Sequence, residues 1–290
     1  MRQFLSRVKT NLKWYFLLFL ILTSIFLWIF VLQEDKGRDL TISFLNVEQG
    51  DAIFIESPTG IQVLIDAGPN RFVMREIAKV LPWYDRSLDA VIVTHPDKDH
   101  FEGFISLLDK YKTKVFIEPG VLASNQNYNF LKEKVSSKNI PIVLARRGQI
   151  IDIGGGAYIE ILFPDRDVSV LGVNDASIVA RVVYGETSVM LTGDSPKNIE
   201  NYLVSIYGEK LDSDILKAGH HGSKTSSSEI FVSIVSPEYT IISAEKDSRY
   251  GHPHIEVLEV LEKQNSKILG TYDFGRITFV SDGDEFLFKK

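Results

Sequence analysis

Short apolar runs, separated by polar or glycine-containing turns, recur along most of the chain and predict strands and helices in alternation. Residues 40–47 alternate apolar and polar positions, as a strand with one buried face does. The same pattern predicts strands at 52–55, 61–65, 90–93, 114–117, 159–163, 178–184, 189–191, 215–217, 239–242, 267–269 and 277–280. Apolar positions three and four apart predict helices at 71–81, 103–111, 196–207, 226–235 and 255–264. This order favours an α/β domain built in layers.

The N-terminal part has a different pattern, because residues 14–32 are 19 almost uninterrupted apolar residues. A helix rises about 1.5 Å per residue, so this stretch nearly spans a hydrocarbon core of roughly 30 Å. Basic residues precede it, which predicts a single-pass membrane protein with its N-terminus in the cytoplasm and its main domain outside. A cleaved signal peptide is the alternative, although no small-x-small cleavage site follows. The predicted organisation is a cytoplasmic tail at 1–13, a transmembrane helix at 14–32, a linker at 33–39 and a domain at 40–290.

Composition and charge narrow the chemistry. The 290 residues include no cysteine, so disulfides and thiolate zinc sites are excluded, and His, Asp, Glu or backbone oxygen must hold any metal. Residues 1–38 carry six basic and two acidic residues, which leaves 26 basic and 36 acidic residues in the remainder. Such an acidic domain is not expected to bind nucleic acid by charge alone, although a metal centre can reverse the sign locally.

All six histidines fall in three short clusters, and each cluster follows a predicted strand. The carboxyl ends of strands are where open α/β sheets place their sites. A single histidine is usually a packed or surface residue, but complete clustering favours a shared function. The clusters are His95 with His100, His220 with His221, and His252 with His254.

The first cluster lies in "THPDKDH", directly after the apolar run 90–93. Histidine and carboxylate together suit divalent ions such as Zn²⁺ or Mn²⁺. Residues two apart in a tight loop can point to the same side, so His95 and Asp97 can hold one ion, and Asp99 and His100 a second. The alternative is that the two aspartates only cap the following helix, which leaves both histidines unexplained.

Two later stretches add candidate ligands. Asp194 follows the strand 189–191 and could bridge two metals about 3.5–4 Å apart, or it could cap the next helix. In "KAGHHGSK", His220 or His221 is a further ligand candidate. The helix predicted from 226 begins beside Ser223 and Lys224, which would suit a phosphate, although a plain capping box formed by Ser226 and Glu229 explains the stretch equally well.

The motifs "THPDKDH", "LTGD", "HHGS" and "YGHPH", in this order after "NVEQGD" and "LIDAG", resemble the metallo-β-lactamase fold. Within that fold they resemble the extracytoplasmic hydrolase domain of the ComEC competence (DNA-uptake) family, over about residues 40–290. The resemblance implies an αββα four-layer sandwich with metals at one edge. ComEC proteins also carry a many-helix channel, whereas one span is predicted here. The chain is therefore similar to a stand-alone, membrane-tethered form without a pore of its own, which leaves a separate channel protein as a candidate partner for DNA uptake.

The resemblance also implies residue roles. The residues His95, Asp97, Asp99 and His100 match the His-x-Asp-x-Asp-His fingerprint. Asp194 matches the bridging aspartate, His220 or His221 the last histidine ligand, and Asp66 an aspartate that supports the site from behind.

The sequence departs from the family pattern at two places. Many relatives have a histidine just before the strand that leads to the bridging aspartate, whereas Asn174 and Ser177 stand there in this chain. The first metal is therefore expected to lack one nitrogen ligand, which favours an oxygen-preferring ion such as Mn²⁺. Glu48 also replaces a common glycine in "NVEQGD", so the backbone shape of that turn is in question.

Three functions are compatible with these residues. The favoured one is a metal-dependent phosphodiesterase or nuclease that acts on DNA through a hydroxide activated by one or two Zn²⁺ or Mn²⁺ ions. Asp99 or Asp194 would orient the nucleophile, and His252 or His254 would contact the phosphate or protonate the leaving group. The alternatives are a hydrolase of small esters, lactones or β-lactams, and a non-catalytic membrane-tethered binding module with a degenerate metal site. The sequence makes no prediction of oligomeric state.

Overall fold

The computed structural model describes residues 2–34, 39–122 and 125–289, with side chains from 12 to 28 in the N-terminal segment. The chain divides into two compact units, residues 1–37 and 38–290. The first unit is one helix, α1 (Arg2–Glu34). Among the described residues, no helix combines the length and the apolar character that a membrane crossing requires. The side chains of residues 29–32 in the predicted span lie outside the described residues, and the transmembrane helix stays a prediction.

The second unit contains two mixed sheets. As far as residues 39–289 are described, one sheet has the order β15-β14-β1-β2-β3-β4-β5-β6 and the other β13-β12-β11-β10-β9-β8-β7. The strands are β1 (Leu40–Phe44), β2 (Ile53–Glu56), β3 (Gln62–Ile65), β4 (Ser87–Ile92), β5 (Lys112–Glu118), β6 (Ile142–Leu144), β7 (Ile150–Gly154), β8 (Ala157–Phe163), β9 (Val179–Tyr184), β10 (Thr187–Leu191), β11 (Ile215–Lys217), β12 (Tyr239–Ile242), β13 (Lys267–Gly270), β14 (Ile277–Ser281) and β15 (Phe286–Lys289). The helices are α2 (Phe72–Val80), α3 (Lys98–Leu107), α4 (Gln126–Ser137), α5 (Lys197–Tyr207), α6 (Glu229–Val235), α7 (Ile255–Lys263) and α8 (Thr271–Phe274), with 3-10 turns at Asn174–Ala176, Gly208–Leu211 and Gly219–Gly222.

The two-residue period of the strands produces the layers. In β2, Ile53 and Ile55 point into the core between the sheets, whereas Phe54 points outward beneath α2 and α3. Helices α2, α3 and α4 cover the outer face of the first sheet, and α5, α6 and α7 cover that of the second. The four-layer α/β sandwich implied by the resemblance is confirmed.

Several boundaries differ from the pattern-based prediction. The third helix begins at Lys98 rather than at 103, so "THPDKDH" supplies its first turn. The predicted capping box is wrong, because α6 begins at Glu229 and no side chain caps it locally. Instead, the carboxylate of Glu200 accepts hydrogen bonds from the amides of Ser227 and Ser228, at 2.6 and 2.7 Å. A residue that is distant in sequence therefore satisfies this helix end.

Parallel strand pairs bring the candidate ligands to one edge of the sandwich. Strands β3 and β4 run parallel, as do β10 and β11. Asp66 follows β3, His95 follows β4, Asp194 follows β10, and the histidine pair follows β11. The site is therefore assembled at the carboxyl ends of strands from both sheets, as strand direction predicts.

Candidate metal centre

The loop after β4 delivers two buried histidines and two accessible carboxylates. His95 and His100 are fully buried. Asp97 occupies the N-cap position of α3, yet its side chain makes no capping hydrogen bond. Asp97 and Asp99 keep 46% and 31% of their side-chain surface exposed. The helix-capping alternative therefore does not account for this loop.

Asp194 is the centre of the arrangement, because each of its carboxylate oxygens faces a different pair of histidines. Its Oδ2 lies 3.6 Å from Nε2 of His95 and 3.6 Å from Nε2 of His220. Its Oδ1 lies 3.3 Å from Nε2 of His100 and 3.6 Å from Nε2 of His221. One buried carboxylate therefore divides the cluster into two positions.

Each position also receives one of the accessible carboxylates. Asp97 Oδ2 lies 3.7 Å from Nε2 of His95, and Asp99 Oδ2 lies 3.3 Å from Nε2 of His221. The first position, as named below, consists of His95, Asp97, His220 and Asp194 Oδ2. The second position consists of Asp99, His100, His221 and Asp194 Oδ1.

Both histidines of "HHGS" take part, so the choice between them does not arise. The expectation that the first metal lacks one nitrogen ligand stays a prediction, while His220 faces the first position and His221 the second. The reason is the backbone, because His220 and His221 both have left-handed φ angles of 49° and 58°. Consecutive left-handed residues turn the two rings to opposite sides of Asp194, at a conformational cost of order 1–3 kcal/mol each.

Residues behind the cluster fix the rings. Asp66 Oδ2 lies 2.8 Å from Nδ1 of His100 and accepts a hydrogen bond from the Thr94 hydroxyl at 2.6 Å. That hydroxyl lies 3.0 Å from Nδ1 of His95. Nδ1 of His221 lies 3.0 Å from the Ser243 carbonyl. These contacts leave each Nε2 directed at Asp194, as in metal sites where an outer residue orients the imidazole.

Sequence reasoning missed Asp51 and Lys217. Both side chains are buried, and Lys217 Nζ lies 2.8 Å from Asp51 Oδ1. Atoms of Asp51, His100, Asp194 and His221 lie within 4.8 Å of one another. Asp51 approaches His221 from the Nδ1 side, however, at 3.4 Å. A lysine inside the apolar strand "DILKAG" was the available signal, since lysine is almost never buried without a partner.

The charges in the cluster overcome the effect of burial. Burial would lower the pKa of His221, but Asp194 and Asp51 raise it to about 9. Burial also opposes protonation of His100, yet Asp194 and Asp66 hold its pKa well above its usual range. Burial would raise the pKa of Asp194, but the surrounding histidines hold it well below the ordinary value. The cluster therefore favours positive charge at its centre.

A divalent cation fits this donor set. Within the described residues, the buried atoms Nε2 of His95 and Oδ1 of Asp194 have no hydrogen-bond partner. Buried polar atoms are normally satisfied, and both atoms point to where a cation would satisfy them. Imidazole nitrogen with carboxylate oxygen suits Zn²⁺ and Mn²⁺ alike.

The remaining predicted residues lie around this centre. The His252 ring lies 5.6 Å from the His220 ring, and the His254 ring lies 5.0 Å further along, beside His252. Nδ1 of His254 accepts a hydrogen bond from the backbone amide of Lys224 at 3.3 Å. The structure therefore brings His252 to the rim of the centre, and places His254 behind it.

Three other candidates are more peripheral. The Ser223 hydroxyl accepts a hydrogen bond from the Thr225 hydroxyl at 3.0 Å. The Ser177 side chain is buried beside Gly193, and its hydroxyl has no hydrogen-bond partner among the described residues. Asn174 begins a 3-10 turn, and its carbonyl accepts the Ser177 amide at 3.1 Å. None of these contacts places the three side chains in the first or second position.

A cleft of about 750 Å³ opens beside Asp97 and Asp99. Its charged lining is mainly acidic, with Lys98 and Arg249 as the basic members. Tyr250 stands at its edge, with its ring stacked on His252 at 5.7 Å. The cleft gives a substrate access to the exposed carboxylates. The acidic members of its lining are Glu48, Asp97, Asp99, Glu102, Glu245 and Asp247.

Comparison with known proteins agrees with the fold. The sequence profile described as "Metallo-beta-lactamase superfamily" matches residues 45–245. ComE operon protein 3 of Bacillus subtilis is 29% identical over 87% of this chain and 34% of its own length. Competence protein ComA of Neisseria gonorrhoeae is 31% identical over 67% of this chain and 25% of its own. The resemblance drawn from the motifs is thus confirmed, and the chain spans about a third or less of these relatives.

A solved structure supports the fold alone. CmlA, a diiron β-hydroxylase from Streptomyces venezuelae, superposes with a TM-score of 0.55 over 83% of this chain and 54% of its own. Only 15% of the aligned residues are identical. Such a likeness shows shared architecture and leaves the chemistry to be argued from the site.

Proposed function

Since this chain belongs to the metallo-β-lactamase superfamily, we propose that its metal-dependent hydrolase site cleaves phosphodiester bonds, with DNA as the substrate. The observation that carries the proposal is the division of the cluster by Asp194. Its oxygens face two sets of ligands, at 3.6 Å on one side and 3.3–3.6 Å on the other. Two adjacent divalent ions are a common arrangement for in-line displacement at phosphorus.

The chain's own residues would hold and orient the reactants. Divalent ions supply Lewis acidity, and they lower the pKa of water towards neutrality. The first position would hold one ion and the second position the other, with Asp194 between them. Asp99 is partly exposed and lines the cleft, so it is suited to orient the attacking water.

His252 is better suited to contact the phosphate than to protonate a leaving group. Burial, and then the charges of His221 and His220, lower its pKa to about 4. The imidazole is therefore neutral near pH 7, and it has no readily donated imidazolium proton. We propose that His252 offers a hydrogen bond to the substrate at the rim, beside Tyr250.

The competence-named relatives motivate DNA as the substrate, and the cleft defines how it would bind. The acidic lining repels a phosphate backbone, so the ions at the two positions would have to provide most of the attraction. Lys98, Lys224 and Arg249 would add to it. Binding is then expected to disappear with the metal, rather than to persist as charge-driven adhesion.

The test is cleavage of labelled single- and double-stranded DNA by the metal-stripped, full-length chain. Activity should return with Mn²⁺ or Zn²⁺, and should be abolished when Asp99 and Asp194 are both changed to Ala. A matched control is Asp282→Ala together with Asp284→Ala, two exposed aspartates in the turn before β15. Cleavage by the Asp99/Asp194 variant at the wild-type rate would eliminate the two-metal account.

The acidic cleft is also compatible with a second candidate function, the hydrolysis of small esters, lactones or β-lactams. A small uncharged substrate would not be repelled by the cleft lining. Turnover of a chromogenic β-lactam or lactone by the metal-loaded chain, without cleavage of DNA, would promote this function. A non-catalytic binding module is disfavoured, because each position brings together two imidazoles, one accessible carboxylate and one oxygen of Asp194.

We also propose that the N-terminal segment anchors the domain in a membrane, with the domain on the extracytoplasmic side. The described side chains from Trp14 to Trp28 are predominantly apolar, and the large ones are exposed. Resistance of the full-length chain to extraction with alkaline carbonate would support the anchor. Protection of the domain from external protease in spheroplasts would contradict the orientation, and co-purification with a channel protein would test the partner.

A further inference from the structure

A buried lysine lies behind the second position, where nothing in the proposed reaction uses it. Lys217 is the last residue of β11, and its side chain has no exposed surface. Its ammonium group lies 2.8 Å from Asp51 Oδ1 and donates to the Ala218 carbonyl at 3.0 Å. A charged group is rarely buried in this way unless a partner compensates it.

Asp51 connects this lysine to a ligand candidate. The oxygen that Lys217 contacts also lies 3.4 Å from Nδ1 of His221. On the opposite side of the ring, Nε2 of His221 faces Asp99 Oδ2 at 3.3 Å and Asp194 Oδ1 at 3.6 Å. The order in space is therefore lysine, aspartate, imidazole and second position.

We infer that Asp51 and Lys217 are positioning residues, which act through His221 to set the affinity of the second position for its ion. Asp51 is not a ligand in this account, because it meets the ring at Nδ1 and its near oxygen forms an ion pair with Lys217. The inference rests on the proposed metal site, but not on DNA being the substrate.

The two residues have separate tasks. Asp51 and the Ser243 carbonyl both face Nδ1, so they hold the proton there and leave the Nε2 lone pair for the ion. Lys217 stabilises the negative charge of Asp51 in this buried environment. It also holds the Asp51 carboxylate on the side of His221 that faces away from the ion. Among the described residues, no lysine–aspartate pair of this kind lies behind His95 or His220, the two imidazoles of the first position.

Charge-neutralising variants separate positioning from simple packing. Changing Asp51→Asn or Lys217→Met alone leaves one buried charge unpaired, which should lower the melting temperature. The double variant removes both charges at nearly constant volume, so its melting temperature should return towards that of the wild type. Its second ion should nevertheless bind about 10–100-fold more weakly, while its first ion binds as before.

The measurement is stepwise titration of the full-length, metal-free chain with Mn²⁺ and Zn²⁺ by calorimetry, with a melting curve for each variant. The matched control is Glu118→Gln with Lys132→Met. That ion pair also has a buried carboxylate, and its contacts, including the Tyr128 hydroxyl, lie outside the metal centre. The control should change the melting temperature and leave both ions bound as in the wild type.

Three results would overturn the inference. Two ions bound with wild-type affinity by the double variant would make the pair a packing element only. Loss of the second ion in Asp51→Asn as complete as in Asp194→Asn would make Asp51 a ligand. A wild-type chain that binds no ion would remove the metal site itself, whereas ion binding without DNA cleavage would overturn only the proposed substrate.

Discussion

Asp194 occupies the one place in the centre that both positions share. A carboxylate can bridge because its two oxygens are equivalent, and an amide cannot replace it because one oxygen becomes a donor nitrogen. Replacement of a residue from one position should therefore remove one ion, whereas replacement of Asp194 should weaken both.

We predict that Asp194→Asn retains close to no metal after dialysis, while His95→Gln retains about half of the wild-type content. Metal analysis of the dialysed proteins, with Asp284→Asn as an exposed control, provides the comparison. If Asp194→Asn and His95→Gln lost the same single ion, the bridging role would be wrong.

The raised pKa of His221 predicts how stabilisation by metal depends on pH. In the metal-free protein, protonated His221 among the carboxylates stabilises the fold fully below its ordinary pKa of 6.5. That contribution is lost as pH rises towards about 9, the pKa in the folded state. A metal ion must displace the same proton, so it binds more weakly where the proton is held.

The rise in melting temperature produced by Mn²⁺ should therefore grow from pH 6 to pH 8.5. Differential scanning fluorimetry with excess Mn²⁺ or with chelator measures the difference at each pH. A rise that stays constant over this range would show that His221 is not deprotonated on binding. The same series on His221→Gln should be flatter.

Site residues that cluster in one short motif could be predicted from the sequence. Site residues that are far apart in the sequence could not. "THPDKDH" holds four candidates within six residues, directly after an apolar strand. Asp51 and Lys217 are far apart in sequence, and each lies in a stretch with its own simple explanation, a turn and a strand. Only the folded chain shows that the two charges are a pair.

The turn "NVEQGD" packs against the first turn of α3 and fixes its position. The Asp51 amide donates to the Asp99 carbonyl at 3.2 Å. Gly50 has φ +115°, and a Cβ built on it would lie 2.1 Å from that same carbonyl oxygen. Glu48 keeps the turn despite the absent glycine, with φ 68° and its amide bonded to Asn46 Oδ1 at 3.1 Å.

Gly50→Ala should consequently push Asp99 away from the second position. We expect a loss of stability of about 1–3 kcal/mol and weaker binding of the second ion, measured by urea unfolding and calorimetric titration. Gly60→Ala is the matched control, because Gly60 also has a positive φ, +80°, with open space around it. Equal effects of the two substitutions would attribute the loss to backbone strain alone.

Most strands recovered from the pattern lie between two other strands, although the edge strand β13 was recovered as well. Strands β11 and β12 begin and end where the apolar runs do. Strand β6 was missed because Ile142, Val143 and Leu144 are all exposed at the edge of their sheet, so no alternation marks them. Strands β7 and β15 are edge strands too, and tertiary pairing decides their existence more than periodicity does.

At the scale of the whole molecule, the order of strands and helices along the chain predicts the layers. The completion of the first sheet depends instead on a pairing between strands that are distant in sequence. The runs of strands and helices predict a layered α/β domain. They do not predict that β14 lies between β15 and β1, because antiparallel pairing between remote segments leaves no local signal.

Phe279 on β14 tests how far the domain depends on that pairing. Its side chain is fully buried between the sheets, whereas Leu287 on neighbouring β15 is 57% exposed. We expect Phe279→Ala to cost about 3–5 kcal/mol, and Leu287→Ala to stay within about 0.5 kcal/mol. Denaturant unfolding of both variants measures this, and a small loss for Phe279→Ala would mean that β14 is peripheral.

The pairing of β1 with β14 also constrains when the domain can form. Leu40 pairs with Ser281, so the first sheet cannot close until a segment roughly 240 residues downstream has been synthesised. Folding slows as contacts become more distant along the chain, and unpaired strand edges are prone to aggregation meanwhile. All the candidate ligands, from His95 to His221, leave the ribosome before this closure. Chaperone protection and late metal loading are thus expected steps in the biogenesis of this domain.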